Sequence, residues 1–249
     1  MRKIPLWAHR GFSGRYPENT MAAFIAAVEI GANGIECDVR KTADGCFVIM
    51  HDETVDRTTN GSGSVADMTL QELIELDAGI GYDVAFEGAR VPKLSTVLSY
   101  VSRSTALITL NLEWKIPIRS RQDVEPVLKW IEEARLTKHV IHSSFDVGSL
   151  EVLRQISPKL RIGLLTEPGE DGFTTAKRIG AQAIHPDYMD VTPRYVRRAH
   201  QEHFFVHPYT VNDQKGFAWL AECQVDAAIT NWPGEQWLMP FDVESSPVL

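Results

Sequence analysis

A (β/α)8 barrel, an α/β fold, is what the sequence predicts, and three observations predict it. Short Ile- and Val-rich runs alternate with segments of helical periodicity, eight such runs can be placed, and 249 residues is the length at which one such barrel closes on itself. Strands are expected at 4–9, 34–39, 106–114, 139–143, 161–166, 183–186, 204–209 and 226–231. Helices are expected between them at 20–30, 94–103, 121–134, 147–156, 172–179, 193–202 and 213–223. Asn19, Asp146, Thr192 and Asn212 stand where caps belong. Met21, Phe24 and Val28 form a core stripe at helical spacing on the first helix. An open, doubly wound sheet is the alternative architecture for the same rhythm.

Two stretches break that rhythm. Ala43-Asp44-Gly45 follows the second strand directly and predicts a β-hairpin extension, with pairing about the 44–45 turn setting His51 opposite Asp38. Residues 52–93 are too long for a connecting loop and rich in Thr, Gly, Ser and Asp, so they read as an insertion on the barrel's carboxyl-end face. Its Met68, Leu70, Leu73, Ile74 and Leu76 are expected to pack onto the barrel. After Pro233 periodicity is lost and the tail is expected to fray. No repeat or linker divides the chain, so residues 1–249 are expected to form a single domain.

Composition narrows the partners. Lys and Arg number 25 against 33 Asp and Glu, and the resulting net charge of -8 repels a nucleic-acid backbone, so no nucleic acid is expected. Cys37, Cys46 and Cys223 are an odd count without CxxC spacing, which argues against a disulfide framework and against zinc thiolates; Cys37 and Cys46 read as small buried hydrophobes. The apolar run at 4–8 is too short for a signal peptide, and none approaches the roughly 20 residues a membrane helix needs. A cytoplasmic protein without a membrane span is expected.

The chemistry concentrates at strand ends. Glu36 and Asp38 lie two apart on one strand and so project to one side, towards the barrel axis. Glu113 and Lys115 repeat the device on the next strand. Inward carboxylates without a cation between them would repel and desolvate badly, so they predict either a bound metal or a basic partner. Oxygen-only ligation predicts one hard divalent cation, Mg2+ or Ca2+, with Mn2+ also suited and zinc disfavoured. Arg10 and Lys115 add positive charge for a phosphate, and His9 and His51 suit the proton transfers of phosphodiester cleavage near neutral pH. His142, His185 and His207 also fall near strand ends, where they either line the same mouth or stand as hydrogen-bonded wall residues, and no catalytic role is assigned to them.

These residues resemble those of the glycerophosphodiester phosphodiesterases, which are related in fold to the phosphatidylinositol-specific phospholipases C. The resemblance is carried by Ala8-His9-Arg10-Gly11, Pro17-Glu18-Asn19-Thr20, Ile35-Glu36-Cys37-Asp38-Val39, His51-Asp52 with Arg57-Thr58-Thr59 and Gly61, and Leu112-Glu113-Trp114-Lys115. Ser143-Ser144-Phe145, Thr210-Val211-Asn212 and Ile229-Thr230-Asn231-Trp232-Pro233 extend it along the chain. The resemblance implies that Glu36, Asp38 and Glu113 bind the metal, that His9 and His51 exchange protons as base and acid, and that Arg10 and Lys115 contact phosphate. It implies that Phe145 and Tyr209 meet the substrate, a small glycerophosphodiester such as glycerophosphocholine or glycerophosphoethanolamine, giving sn-glycerol 3-phosphate and an alcohol. Tyr209 stands where the family usually has Trp, and Asn231 where it usually has Asp, a change expected to alter a structural hydrogen bond. Lysophospholipid cleavage at the same site is the nearest alternative and needs an apolar groove beside the metal; a phosphate-binding protein without turnover is a more distant one.

Overall fold

The computed structural model describes residues 4–104 and 108–234. The eight predicted strands are present and parallel, with one antiparallel addition. They are β1 (Leu6–Ala8), β2 (Gly34–Lys41), β3 (Phe47–Ile49), β4 (Thr109–Trp114), β5 (Val140–Ser144), β6 (Arg161–Leu165), β7 (Ala183–His185), β8 (Phe205–Val206) and β9 (Ala228–Thr230). The order β8-β7-β6-β5-β4-β2-β1-β9 is parallel throughout, and β3 pairs antiparallel with β2. Hydrogen bonds from Asp226 N–H to Val206 O (3.1 Å) and from Ile229 N–H to Pro208 O (2.9 Å) link the two ends and close the barrel. β8 is shorter than expected because Pro208 has no N–H to give to a neighbour. The tail beyond residue 234, and positions 106–107 of the predicted third parallel strand, lie outside the described residues.

Helices fill the spaces between strands: α1 (Met21–Glu29), α2 (Leu70–Glu75), α3 (Leu94–Arg103), α4 (Glu125–Glu133), α5 (Val147–Ile156), α6 (Phe173–Ile179), α7 (Pro193–Gln201) and α8 (Gln214–Cys223). Asp146 and Thr192 cap α5 and α7 as expected. Two other caps fall one residue later, on Thr20 for α1 and Asp213 for α8. The side chains of Asn19 and Asn212 are engaged elsewhere, on Asp38 and on the Asn231 amide respectively.

The core divides by the two faces of the sheet. Outward residues such as Ile35, Cys37, Leu110, Leu112 and Ile162 pack under the helices in the main cluster, joined by Phe24 of α1. Burying such side chains contributes about 1.5–3 kcal/mol each. Inside the barrel, Trp7 packs with Ile141, Ala227 and Ile229, and its ring lies against those of His185 and His207. His142 faces outward instead, stacked on Trp114, whose indole N–H donates to it at 3.2 Å. The three histidines are therefore buried packing residues, and each has its pKa lowered by burial.

The hairpin forms with a register one residue from that expected. Val39 faces Ile49, and Met50 N–H bonds Asp38 O, so Met50 and not His51 lies opposite Asp38. The reason is a three-residue loop, 43–45, closed by Thr42 N–H to Cys46 O (2.9 Å), with Gly45 at φ +82° where a two-residue turn had been expected. The insertion builds a small core of its own: Val55, Val65, Leu73, Ala78 and Val91 close over Val48 and Met50, with Met68, Leu70 and Leu76 packed against them. α2 within it starts on a Thr69/Glu72 capping box. Among the described residues no helix is long and apolar enough to cross a membrane.

Candidate active site

Strand register creates the acidic centre. β2 and β4 pair so that Asp38 lies beside Glu113 and Glu36 beside Asn111. Residues paired in this way stand only about 4.7–4.9 Å apart across the ladder, and alternation puts Glu36 on the same face as Asp38. One oxygen from each of Glu36, Asp38 and Glu113 therefore lies within 4.8 Å of the other two, and all three residues are buried.

The loop after β1 supplies the next layer. Arg10 adopts φ +56° and Gly11 φ +78°, which turns the Arg10 amide onto Glu36 Oε2 at 2.9 Å. A Cβ on Gly11 would stand 2.7 Å from the Ala23 carbonyl carbon, so α1 approaches this turn too closely for any other residue. The Arg10 guanidinium reaches Glu18 (2.8 Å) and Asp38 (3.4 Å). Lys115 reaches Asp38 at 3.4 Å and pairs closely with Glu113.

Two imidazoles flank the acids. His9 holds Asn231 Oδ1 through Nδ1 at 2.7 Å, and its Nε2 lies 4.0 Å from Glu36 Oε2. His51 holds Asp52 Oδ1 through Nδ1 at 2.6 Å, Asp52 accepts from Arg57 Nε at 2.6 Å, and Arg57 also donates twice to Glu18 at 2.7 and 2.9 Å. Arg40 donates to the His51 carbonyl at 2.7 and 2.9 Å and fixes its backbone. In both rings Nδ1 is taken from behind and Nε2 remains available.

The electrostatics follow from burial among like charges. Glu36 is pushed well above the usual carboxylate range, by burial first and then by Asp38 and Glu113. Burial and the Asp38 charge push Glu113 up to about 7. Burial also opposes the charge of Asp38, but Lys115 and Arg10 outweigh it and hold that carboxyl low. Burial and then Arg10 lower His9 to about 4, while burial lowers His51 against the opposing pull of Asp38 and Asp52.

The donor set fits a hard divalent cation. Glu36 Oε1 is buried with no hydrogen-bond partner, and the clustered ligand atoms are all carboxylate oxygens. Removing three such groups from water with only Arg10 and Lys115 beside them leaves charge that a cation would offset.

Every residue predicted for the site is drawn to this end of the barrel. Phe145 has its ring centroid 6.0 Å from Lys115 Nζ and meets Tyr209 edge to face at 6.0 Å; the Tyr209 hydroxyl donates to Thr166 O at 2.8 Å. Sequence reasoning gave no role to Glu18, Asp52 or Arg57 and read Asn19 as a cap. Instead, Asn19 Nδ2 donates to Asp38 Oδ2 at 2.7 Å, made possible by its own φ of +57°. Their place inside the Pro17-Glu18-Asn19-Thr20 and His51-Asp52, Arg57-Thr58-Thr59 motifs was the available signal, though it does not show how they pair. Asn231, expected to make only a structural bond, holds His9 directly.

Comparison with known proteins agrees with this geometry. The model of the Glycerophosphoryl diester phosphodiesterase family matches residues 9–235. The glycerophosphodiester phosphodiesterase of Caldanaerobacter subterraneus subsp. tengcongensis is 39% identical over 227 residues, covering 91% of this chain and 93% of that protein. Among solved structures, a glycerophosphodiester phosphodiesterase from Agrobacterium tumefaciens aligns with a TM-score of 0.81 at 28% identity, over 93% of this chain and 97% of the other. An Oleispira antarctica phosphodiesterase, solved in complex with the product sn-glycerol-3-phosphate, aligns with a TM-score of 0.80 at 27% identity, over 92% and 93% of the two chains. On its sequence, its barrel and these matches, the chain belongs to the glycerophosphoryl diester phosphodiesterase family.

Proposed function

We propose that this chain hydrolyses sn-glycerol 3-phosphodiesters, among them glycerophosphocholine and glycerophosphoethanolamine, to sn-glycerol 3-phosphate and an alcohol, with a divalent cation held by Glu36, Asp38 and Glu113. The observation that carries the reading is the buried carboxylate cluster, its ligand atoms within 4.8 Å of one another, flanked by two imidazoles each fixed through Nδ1. A bound Mg2+, Ca2+ or Mn2+ would neutralise charge on the phosphoryl oxygens.

The chain's own residues do the rest. Arg10 and Lys115 set positive charge beside the cluster and hold the phosphodiester. His9, with Asn231 Oδ1 accepting from Nδ1–H, keeps Nε2 free of a proton and takes the proton of the nucleophile, which is either water or the glycerol 2-hydroxyl, the latter giving a cyclic phosphate that water then opens; its lowered pKa keeps it neutral at pH 7. His51, in its doubly protonated form with Nδ1–H held by the Asp52 carboxylate, gives the Nε2 proton to the leaving alkoxide. Phe145 and Tyr209 form an aromatic corner for the organic part of the substrate.

Small glycerophosphodiesters are favoured over lysophospholipids because the insertion turns Val65 and Leu73 inward onto the hairpin, where they line no acyl groove. We take residues 1–249 as one catalytic domain working in the cytoplasm, a reading supported by the family match over 9–235 and by three free cysteines.

The test is turnover of metal-stripped protein on glycerophosphocholine, glycerophosphoethanolamine and lysophosphatidylcholine with Mg2+, Ca2+ or Mn2+ added separately. Release of sn-glycerol 3-phosphate that EDTA abolishes and one of these cations restores is expected. Metal-independent release, or a lysophospholipid turned over faster than every glycerophosphodiester, overturns the reading.

A further inference from the structure

Two non-glycine residues of the segment between β1 and α1, Arg10 and Asn19, have left-handed backbones, at φ +56° and +57°. Asparagine tolerates that region, whereas for arginine it is a strain that the surrounding bonds must hold in place. Both residues serve β2. The Asn19 N–H donates to Arg10 O at 2.9 Å, and the Arg10 N–H donates to Glu36 Oε2 at 2.9 Å. The Asn19 side chain completes the clasp: Nδ2 donates to Asp38 Oδ2 at 2.7 Å, and Oδ1 lies 3.5 Å from the Asp38 amide nitrogen. Asn19, Glu36 and Asp38 are all buried, so bulk water does not compete for these bonds.

The clasp separates the two oxygens of each carboxylate. Glu36 Oε2 and Asp38 Oδ2 are taken from behind, by the Arg10 amide and by Asn19. Glu36 Oε1 and Asp38 Oδ1 are buried without a hydrogen bond, the latter with Lys115 Nζ at 3.4 Å. A carboxylate held in this way offers one oxygen to a cation rather than two. Ca2+ takes roughly six to eight oxygens and accepts both oxygens of one carboxylate. Mg2+ demands a compact octahedron and keeps several waters, and the two oxygens of one carboxylate stand too close together to fill neighbouring corners of it.

We propose that Asn19 is a positioning residue: by confining Asp38 to a single oxygen, as the Arg10 amide confines Glu36, it tunes the acidic centre to Mg2+ against Ca2+. The inference rests on the metal-dependent phosphodiesterase reading and deepens it. Without the Asn19 amide, the Asp38 carboxylate is free to turn and present both oxygens, an arrangement that suits Ca2+ and not Mg2+. A residue that only braced the 10–19 loop against β2 would, when removed, weaken both cations alike. The ratio of the two affinities therefore separates positioning from bracing.

Calorimetric titration of metal-stripped protein with Mg2+ and with Ca2+ reads the two dissociation constants without turnover. Wild type is expected to bind Mg2+ at least as tightly as Ca2+. Asn19→Gly keeps the left-handed backbone without strain and removes only the side-chain amide. In that variant the ratio of the two constants should move towards Ca2+ by about tenfold or more, the scale on which groups behind a metal ligand act. An unchanged ratio in Asn19→Gly, whatever happens to its Tm, overturns the proposal. A wild-type protein that binds Ca2+ more tightly than Mg2+ also overturns it, and this arm needs no variant to fold. A Mg2+ preference that depends on Asn19 in a protein hydrolysing no glycerophosphodiester upholds the positioning role and overturns the catalytic reading. An EDTA-sensitive phosphodiesterase whose cation ratio ignores Asn19 does the reverse.

Discussion

Glu36 is buried with one oxygen bonded to the Arg10 amide and the other bare, and its pKa is raised by burial and by two neighbouring carboxylates. A residue in that state is costly to the metal-free fold and is satisfied when a cation arrives. Saturating Mg2+, Ca2+ or Mn2+ should therefore raise Tm, by the equivalent of roughly 2.7 kcal/mol at one hundred times Kd. Glu36→Gln should abolish that rise while leaving the metal-free Tm unchanged or higher; a metal-induced rise that persists in the variant would remove Glu36 from the ligand set. Because Glu113 sits at about 7 without metal, binding should also release protons, and affinity should weaken as pH falls below 7. Behind His51, Arg57 bridges Asp52 and Glu18, although half of it is exposed. Arg57→Ala frees both carboxylates and with them the orientation of His51 and Arg10. A loss of about 10- to 100-fold in kcat/KM is expected, with little change in Tm. A drop in Tm without a kinetic effect would mean that Arg57 only braces the loop.

Elements show where sequence reasoning reaches and where it stops. Parallel strands were legible because hydrophobic runs such as Ile35–Val39 and Leu110–Trp114 alternate with amphipathic segments, and the same period of two put Glu36, Asp38 and Glu113 on one face. The hairpin was legible from Asp44-Gly45, but its register was not, since a two-residue and a three-residue loop share the same signal and differ by one pairing. Asn19 and Asn212 had the composition of caps, and only the packed structure shows that Asp38 and the Asn231 amide compete for them and win. The ring of Glu18, Asp52 and Arg57 was beyond reach because it joins residues 39 apart through loops, where no period constrains direction. The insertion's core tests this scale. Leu73 is fully buried on α2 among Val48, Met50 and Val65, the residues that tie the insertion to β3. Leu73→Ala should cost about 2–5 kcal/mol in urea-monitored stability if the insertion folds cooperatively with the barrel. If it instead melts locally, the cost will be absent from the global transition and will appear as faster amide exchange at residues 53–78.

Across the whole molecule, charge and burial pull stability in opposite directions as pH falls. The net charge is -8, yet Arg10, Arg57 and Lys115 gather at one mouth, so the anion-binding function is local and set against the field of the rest. The acidic centre and the buried imidazoles titrate with opposite sign. Glu36 and Glu113 have raised pKa values, so between about 4.5 and 7 the metal-free folded state binds more protons than the unfolded chain and gains stability as pH drops. His142 is lowered from 6.5 to about 4 by burial, so in that window the unfolded chain takes a proton that the folded state refuses. Its contribution is complete above 6.5 and is lost as pH falls towards 4, by roughly 3 kcal/mol over the interval. Replacing His142 by Gln keeps an acceptor for the Trp114 indole at 3.2 Å but removes the titration. Wild type and His142→Gln carry the same carboxylates, so their acidic terms cancel in the difference. Urea denaturation at pH 7 and pH 4.5 should show that difference moving by roughly 2–3 kcal/mol in favour of the variant at the lower pH. A difference that stays flat would mean that His142 takes its proton inside the fold, and that the packing of Trp114 against it yields to water.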